Sequence, residues 1–224
     1  MLNLNLQDLL IIIPVLVIAL TFHEFSHAFV AYKLGDPTAK NAGRLTLNPL
    51  KHLDILGSLM MIIAHIGWAK PVPINSGYFK NRKKGLILSA LAGPISNLLL
   101  GFVVMLLWGL LVKLLSVGVI NLNNSFVGSI INYLDPFLRI LVIVNINLAV
   151  FNLIPVPPLD GSRLLSSFIP EESYFRFARY EQYIGLAFLA VVIFLPNVLG
   201  SVIGFLANPI YNSYQMAVIY IFGF

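Results

Sequence analysis

His23, Glu24 and His27 stand in the order H-E-F-S-H, two imidazoles and a carboxylate at the end of an apolar run from Leu9 to Ser26. On a helix, residues four apart lie above one another on the same face, so His23 and His27 can grip one metal ion between their rings. Glu24 flanks that face without having to bind the ion. From there it can take a proton from a water that the ion acidifies. The competing reading is a pair of core histidines bonded to a neighbouring helix, with Glu24 as a structural partner. Ionisable groups are costly inside a bilayer and are mostly functional there, which favours the chemical reading.

A catalytic site of this kind needs a third protein ligand and an open position. The soluble continuation H-x-x-G-x-x-H fails here, because Val30 and Lys33 occupy its glycine and histidine positions. A downstream glutamate is missing too, since no Glu occurs between Glu24 and Glu171. The remaining candidates are Asp36, His52, Asp54, His65, Asp135 and Asp160. Asp160 has the best setting, in NLIPVPPLDG from Asn152 to Gly161, where prolines at 155, 157 and 158 end a helix and predict an extended backbone. Non-helical backbone at membrane depth is tolerated only where it is buried in protein or lines a wet cavity. The competing role for Asp160 is an N-cap for the segment that follows. Asp135 is expected to pair with Arg139 one turn later. His52 and Asp54 read as surface or hinge groups, and His65 as a satisfied polar contact.

The elements that must position these groups are membrane helices. Of 224 residues, 58% are hydrophobic and 10% charged, against about a quarter charged in a soluble domain. Several stretches reach the roughly 20 apolar residues that cross a hydrocarbon core. The fold class is an all-α membrane protein, a polytopic helical bundle of five to six spans forming a single domain over residues 1–224. Core spans are expected at about 9–33, 86–112 and 136–156. The tail, about 183–222, is too long for one span and breaks at Pro196-Asn197 into two helices. No cleavable signal is expected, because MLNLNLQD lacks a basic region. The chain has no cysteine, so any transition metal must be held by histidine and carboxylate.

The net charge of +5 does not point to nucleic acid, because nine of the fourteen Lys and Arg lie between Lys33 and Lys84, beside membrane segments. Cytoplasmic juxtamembrane loops have that composition. The apolar stretch from Leu53 to Ala69 has basic residues on both sides. It is therefore read as a re-entrant or surface segment, with an ordinary span as the alternative, and KPVPIN after it as extended. A short re-entrant or β-like segment around 53–80 results. On this topology both the HExxH end and Asp160 face the cytoplasm.

HEFSHA, GRLTLNPLKHLDILG, GWAKPVPIN, LAGPISN and NLIPVPPLDG occur in this order. Together they resemble the site-2 protease family of intramembrane zinc metalloproteases, most closely its short prokaryotic members without an inserted PDZ domain. The resemblance covers Thr21 to about Arg163. It implies one zinc per chain bound by His23, His27 and Asp160, Glu24 as catalytic base, and Asn97 and Asn152 facing the cavity to position substrate or stabilise an oxyanion. For Asn97 an ordinary interhelical hydrogen bond is the alternative, and Gly93-Pro94 reads as close packing with a local kink. The implied activity is hydrolysis of peptide bonds within or near transmembrane segments of membrane-bound substrates. The implied location is a plasma or inner membrane, with the site toward the cytoplasm. Rival readings are a membrane metal-ion transporter and a catalytically inactive relative that binds membrane helices.

Overall fold

The apolar run that carries the two histidines forms one helix, α1 (Leu6–Lys33). It stops because Gly35 takes φ +104°, a left-handed conformation that side chains with a Cβ rarely adopt, and Pro37 follows. A computed structural model of the chain describes residues 6–54, 57, 69–120, 125–169 and 171–224. After the short α2 (Thr38–Asn41) and 3-10 turns at Pro49–Lys51 and Ser76–Tyr78 come five further helices. These are α3 (Arg82–Ser116), α4 (Ser125–Asn152), α5 (Asp160–Phe168), α6 (Glu171–Phe194) and α7 (Pro196–Phe222).

The all-α membrane architecture agrees with the composition, and no named strand occurs among the described residues. Helices α1, α3 and α4 are each long and apolar enough to cross a membrane. The two tail helices do break at Pro196, which opens α7, but they pass that test only as a pair bent by 95°. Against the expected five to six spans, the described residues thus hold three such helices and this bent pair.

Two helices outrun their expected limits. The Asn81 side chain accepts from the Lys84 backbone N–H at 2.9 Å, an N-cap that starts α3 before the apolar run begins. Helix α4 starts at Ser125 and runs through Pro136 instead of beginning there. The Trp108 indole N–H donates to Asp135 at 2.8 Å, which ties the turn before Pro136 to α3. Asp135 thus answers to α3 rather than to the expected Arg139.

Of the ambiguous stretch 53–69, residues 55–56 and 58–68, including His65, lie outside the described residues. Its two ends meet. Leu53 and Ala69 form an isolated antiparallel bridge, and the Lys70 N–H donates to the His52 carbonyl at 2.8 Å. The described ends of this stretch thus lie side by side.

The core lies between α1, α3, α4 and α7, where Val15, Met105, Val142, Ile146 and Val218 are buried together. Lipid tails are as apolar as these side chains, so close packing and interhelical hydrogen bonds hold the helices together. Helix α6 packs on α7 and meets α4 through Phe188, whose ring centroid lies 5.8 Å from that of Phe151.

Candidate metal centre

Two elements far apart in the chain bring three ligand atoms to one point. His23 and His27 lie one turn apart near the end of α1, and Asp160 is the first residue of α5. His23 Nε2 is 3.0 Å from Asp160 Oδ2, His27 Nε2 is 3.1 Å from the same oxygen, and the two nitrogens are 3.0 Å apart. Ligands about 2.0–2.1 Å from a tetrahedral ion lie roughly 3.3 Å from one another. The observed triangle is nearly that size.

The protons point to the same conclusion. His27 Nδ1 lies 2.6 Å from the Ser89 carbonyl oxygen, which can only accept, so Nδ1 donates. His23 Nδ1 donates to Asn97 Oδ1 at 2.6 Å, because the Asn97 amide nitrogen is engaged by the Ala19 carbonyl at 3.0 Å. In the neutral rings both Nε2 atoms therefore present lone pairs, to each other and to a carboxylate oxygen. Three buried lone-pair donors at this spacing repel one another unless a cation sits among them. The donor set fits a metal, and among the described residues this is the group that could hold one.

Among the described residues, the other ligand candidates are committed elsewhere. Buried Asp36 accepts the Thr38 N–H at 2.9 Å and the Asn75 N–H at 2.7 Å. Buried His52 donates from Nε2 to the Thr46 carbonyl at 2.7 Å, and Asp54 accepts from the Gly57 N–H at 2.8 Å. His52, read as a surface or hinge group, is buried, and with Asp36 it builds the loop that holds KPVPIN. Asp36 binds its Asn75 end, while Arg44 donates to the Lys70 carbonyl and the His52 carbonyl takes the Lys70 N–H at the other.

That segment runs beside the base. The Val72 N–H donates to Glu24 Oε2 at 3.0 Å, and Glu24 is half-buried at the wall of a cavity of about 240 Å³. Pro71, Val72 and Ile74 line it from one side, and Asn152, Asp160 and Ser162 from another. Arg163 and Glu181 also reach it.

Two expectations need correction. Asn97 does not line the cavity. It is fully buried between helices, with its oxygen on His23 and its nitrogen on Ala19 and Asn145, so it has nothing left for a substrate. Asn152 does line the cavity, donating one amide hydrogen to the Leu148 carbonyl at 2.9 Å. Residues 155–159 form successive turns rather than an extended strand. The Val156 N–H bonds to Ile154 O at 2.8 Å and the Leu159 N–H to Val156 O at 2.9 Å, which curls the prolines back toward α1 and delivers Asp160 at a helix start.

Sequence reasoning assigned Gly93 only to packing. A Cβ there would lie 2.6 Å from His23 Nε2 and would also overlap His27 Nε2, so α3 can approach the two imidazoles only without a side chain. Gly93→Ala should therefore abolish metal retention by the purified protein, and overpacking should lower stability by about 1–3 kcal/mol. Metal content and thermal unfolding measure the two effects. Retention of the full metal complement would mean that the contact is slacker than it appears. Asn145 was missed as well. The available signal was its position seven residues before Asn152, two turns apart on one face of an apolar helix.

Comparison with known proteins adds an independent line. The family model described as "Peptidase family M50" matches residues 11–194. "Putative zinc metalloprotease YwhC" of Bacillus subtilis (strain 168) is 40% identical over 178 residues, covering 80% of this chain and 78% of that protein. "Putative zinc metalloprotease Rip2" of Mycolicibacterium smegmatis is 31% identical over 183 residues, covering 79% of this chain and 63% of that protein. The Mycobacterium tuberculosis (H37Rv) protein of the same name is 29% identical over 193 residues, covering 84% and 68%. No solved structure matches the chain significantly.

Proposed function

The chain belongs to peptidase family M50, the site-2 protease family, and from that premise we propose that it is an intramembrane zinc endopeptidase cutting the transmembrane segments of other membrane proteins. The observation that carries the proposal is the convergence of His23 Nε2, His27 Nε2 and Asp160 Oδ2 within 3.1 Å of one another, beside Glu24 and at the end of an apolar helix. These three atoms would hold zinc, which would supply Lewis acidity toward a scissile carbonyl and an attacking water.

Glu24 performs the proton transfers. Its Oε2 is anchored by the Val72 N–H, and Oε1 has no hydrogen bond among the described residues. That oxygen takes a proton from water as the new C–O bond forms, then gives it to the amide nitrogen as the C–N bond breaks. Asn152 retains a second amide hydrogen, which it can donate to the carbonyl oxygen as charge builds there.

A peptide bond inside a helix is shielded by its own hydrogen bonds, so the substrate must unwind. The unwound stretch pairs with the 71–75 segment, which is clamped at both ends and lines the cavity, by addition of a strand. The turns at 155–159 offer no such edge. The concentration of basic residues between Lys33 and Lys84 supports a plasma or inner membrane location with the site toward the cytoplasm.

Purified protein loaded with zinc should cleave candidate single-span proteins in detergent. A chelator should lower the rate by at least about 100-fold, since the ion supplies several kcal/mol of transition-state stabilisation, and added zinc should restore it. Cleavage that survives complete zinc removal overturns the proposal. Metal flux into vesicles without cleavage would replace the enzyme with a transporter.

A further inference from the structure

We infer that Asn145, acting through Asn97, is a positioning residue for the metal centre: it sets which nitrogen of His23 carries the proton. The inference rests on reading His23, His27 and Asp160 as metal ligands, and concerns what prepares them. Both asparagines are fully buried, Asn97 on α3 and Asn145 on α4.

Each link in the chain determines the next. The Leu141 carbonyl can only accept, and Asn145 Nδ2 donates to it at 2.8 Å. Asn145 Oδ1 therefore points the other way and must receive a donor, which is Asn97 Nδ2 at 2.8 Å. The second hydrogen of Asn97 Nδ2 goes to the Ala19 carbonyl at 3.0 Å. Asn97 Oδ1 is thereby turned to His23 Nδ1 at 2.6 Å and requires a hydrogen there. With Nδ1 protonated, His23 Nε2 keeps its lone pair for the cluster. Rotating the Asn97 amide by half a turn would set oxygen against oxygen at both Asn145 and Ala19, and would offer His23 Nδ1 a donor in place of an acceptor.

Partners of a ligating histidine's other nitrogen commonly tune metal affinity by 10–100-fold. In the usual case the partner is a single group. Here the proton position is referred through two amides to the backbone of a third helix, so the packing of α3 on α4 is read out in the affinity for the ion.

The test is a zinc competition titration of metal-free protein against a chromophoric chelator in detergent, alongside thermal unfolding of the same samples without metal. Asn97→Leu should weaken zinc binding by about 100-fold and Asn145→Leu by about 10-fold. Asn97→Asp keeps an acceptor toward His23 but sets its second oxygen against the Ala19 and Asn145 oxygens, so it should recover part of the affinity lost in Asn97→Leu while its melting temperature stays lowered. A purely structural role predicts a lowered melting temperature in the leucine variants with unchanged zinc affinity, and that result overturns the inference. If Asn97→Leu does not fold, the affinity of Asn145→Leu decides alone. Failure of the unaltered protein to bind zinc would instead remove the metalloprotease reading itself, and this inference with it.

Discussion

Glu24→Gln should leave zinc bound at one ion per chain while cleavage falls by about 10²–10⁴-fold, the range for loss of a general acid–base. The replacement is nearly isosteric. A glutamine oxygen can still accept the Val72 N–H that now bonds Glu24 at 3.0 Å, so the segment beside the site keeps its place. None of the three converging atoms belongs to Glu24, so zinc content should not change. What disappears is an oxygen able to hold a proton between its removal from water and its delivery to the amine. Zinc by mass spectrometry and the cleavage rate of a single-span substrate measure both halves. A rate within about tenfold of the unaltered enzyme, with zinc present, would leave general-base catalysis by Glu24 untenable.

Asp160→Ala should have the opposite signature, losing the metal itself. Asp160 Oδ2 is the atom that both imidazoles approach, at 3.0 and 3.1 Å, and it brings the negative charge of the donor set. Two neutral imidazoles remain without it, and zinc affinity should drop by more than the roughly 100-fold associated with changes one shell further out. The fold should survive, because the main core of α1, α3, α4 and α7 lies among residues that do not touch Asp160. Equilibrium dialysis against buffered zinc reads the affinity, and circular dichroism checks the helices. Undiminished zinc binding would transfer the third-ligand role to another carboxylate, with Asp54 the first to test. Asp160→Ala and Glu24→Gln thus separate binding from proton transfer.

Much of the site was legible in the chain because its chemistry is local. H-E-x-x-H is one helical turn, and helical geometry alone puts both imidazoles on one face. LDG after a run of prolines marked the one carboxylate set at a broken helix in an otherwise apolar region. Other features were hidden because they depend on close approach. The role of Gly93 exists only because α3 lies against His23 and His27, and nothing in LAGPISN says which residues it will face. The family resemblance implied that Asn97 faces the cavity, with an ordinary interhelical hydrogen bond as the alternative. Its partners turned out to be Ala19, His23 and Asn145 in the dry interior. The prolines at 155–158 indicated a break but not its shape, since a run that cannot stay helical can either extend or curl.

The sequence by itself determined that the chain is a bundle of membrane helices, that His23 and His27 share one helical face with Glu24 beside it, and that any transition metal must be held by histidine and carboxylate. Those properties follow from side-chain chemistry, apolar length and the period of one helix. The tertiary structure decided that His23 meets Asp160 across 137 positions of chain, that a backbone N–H at Val72 steadies Glu24, and that two buried amides stand behind His23. Such meetings depend on how helices pack, and in lipid that packing is selected by small residues and hydrogen-bond geometry rather than by an apolar pattern that could be read along the chain.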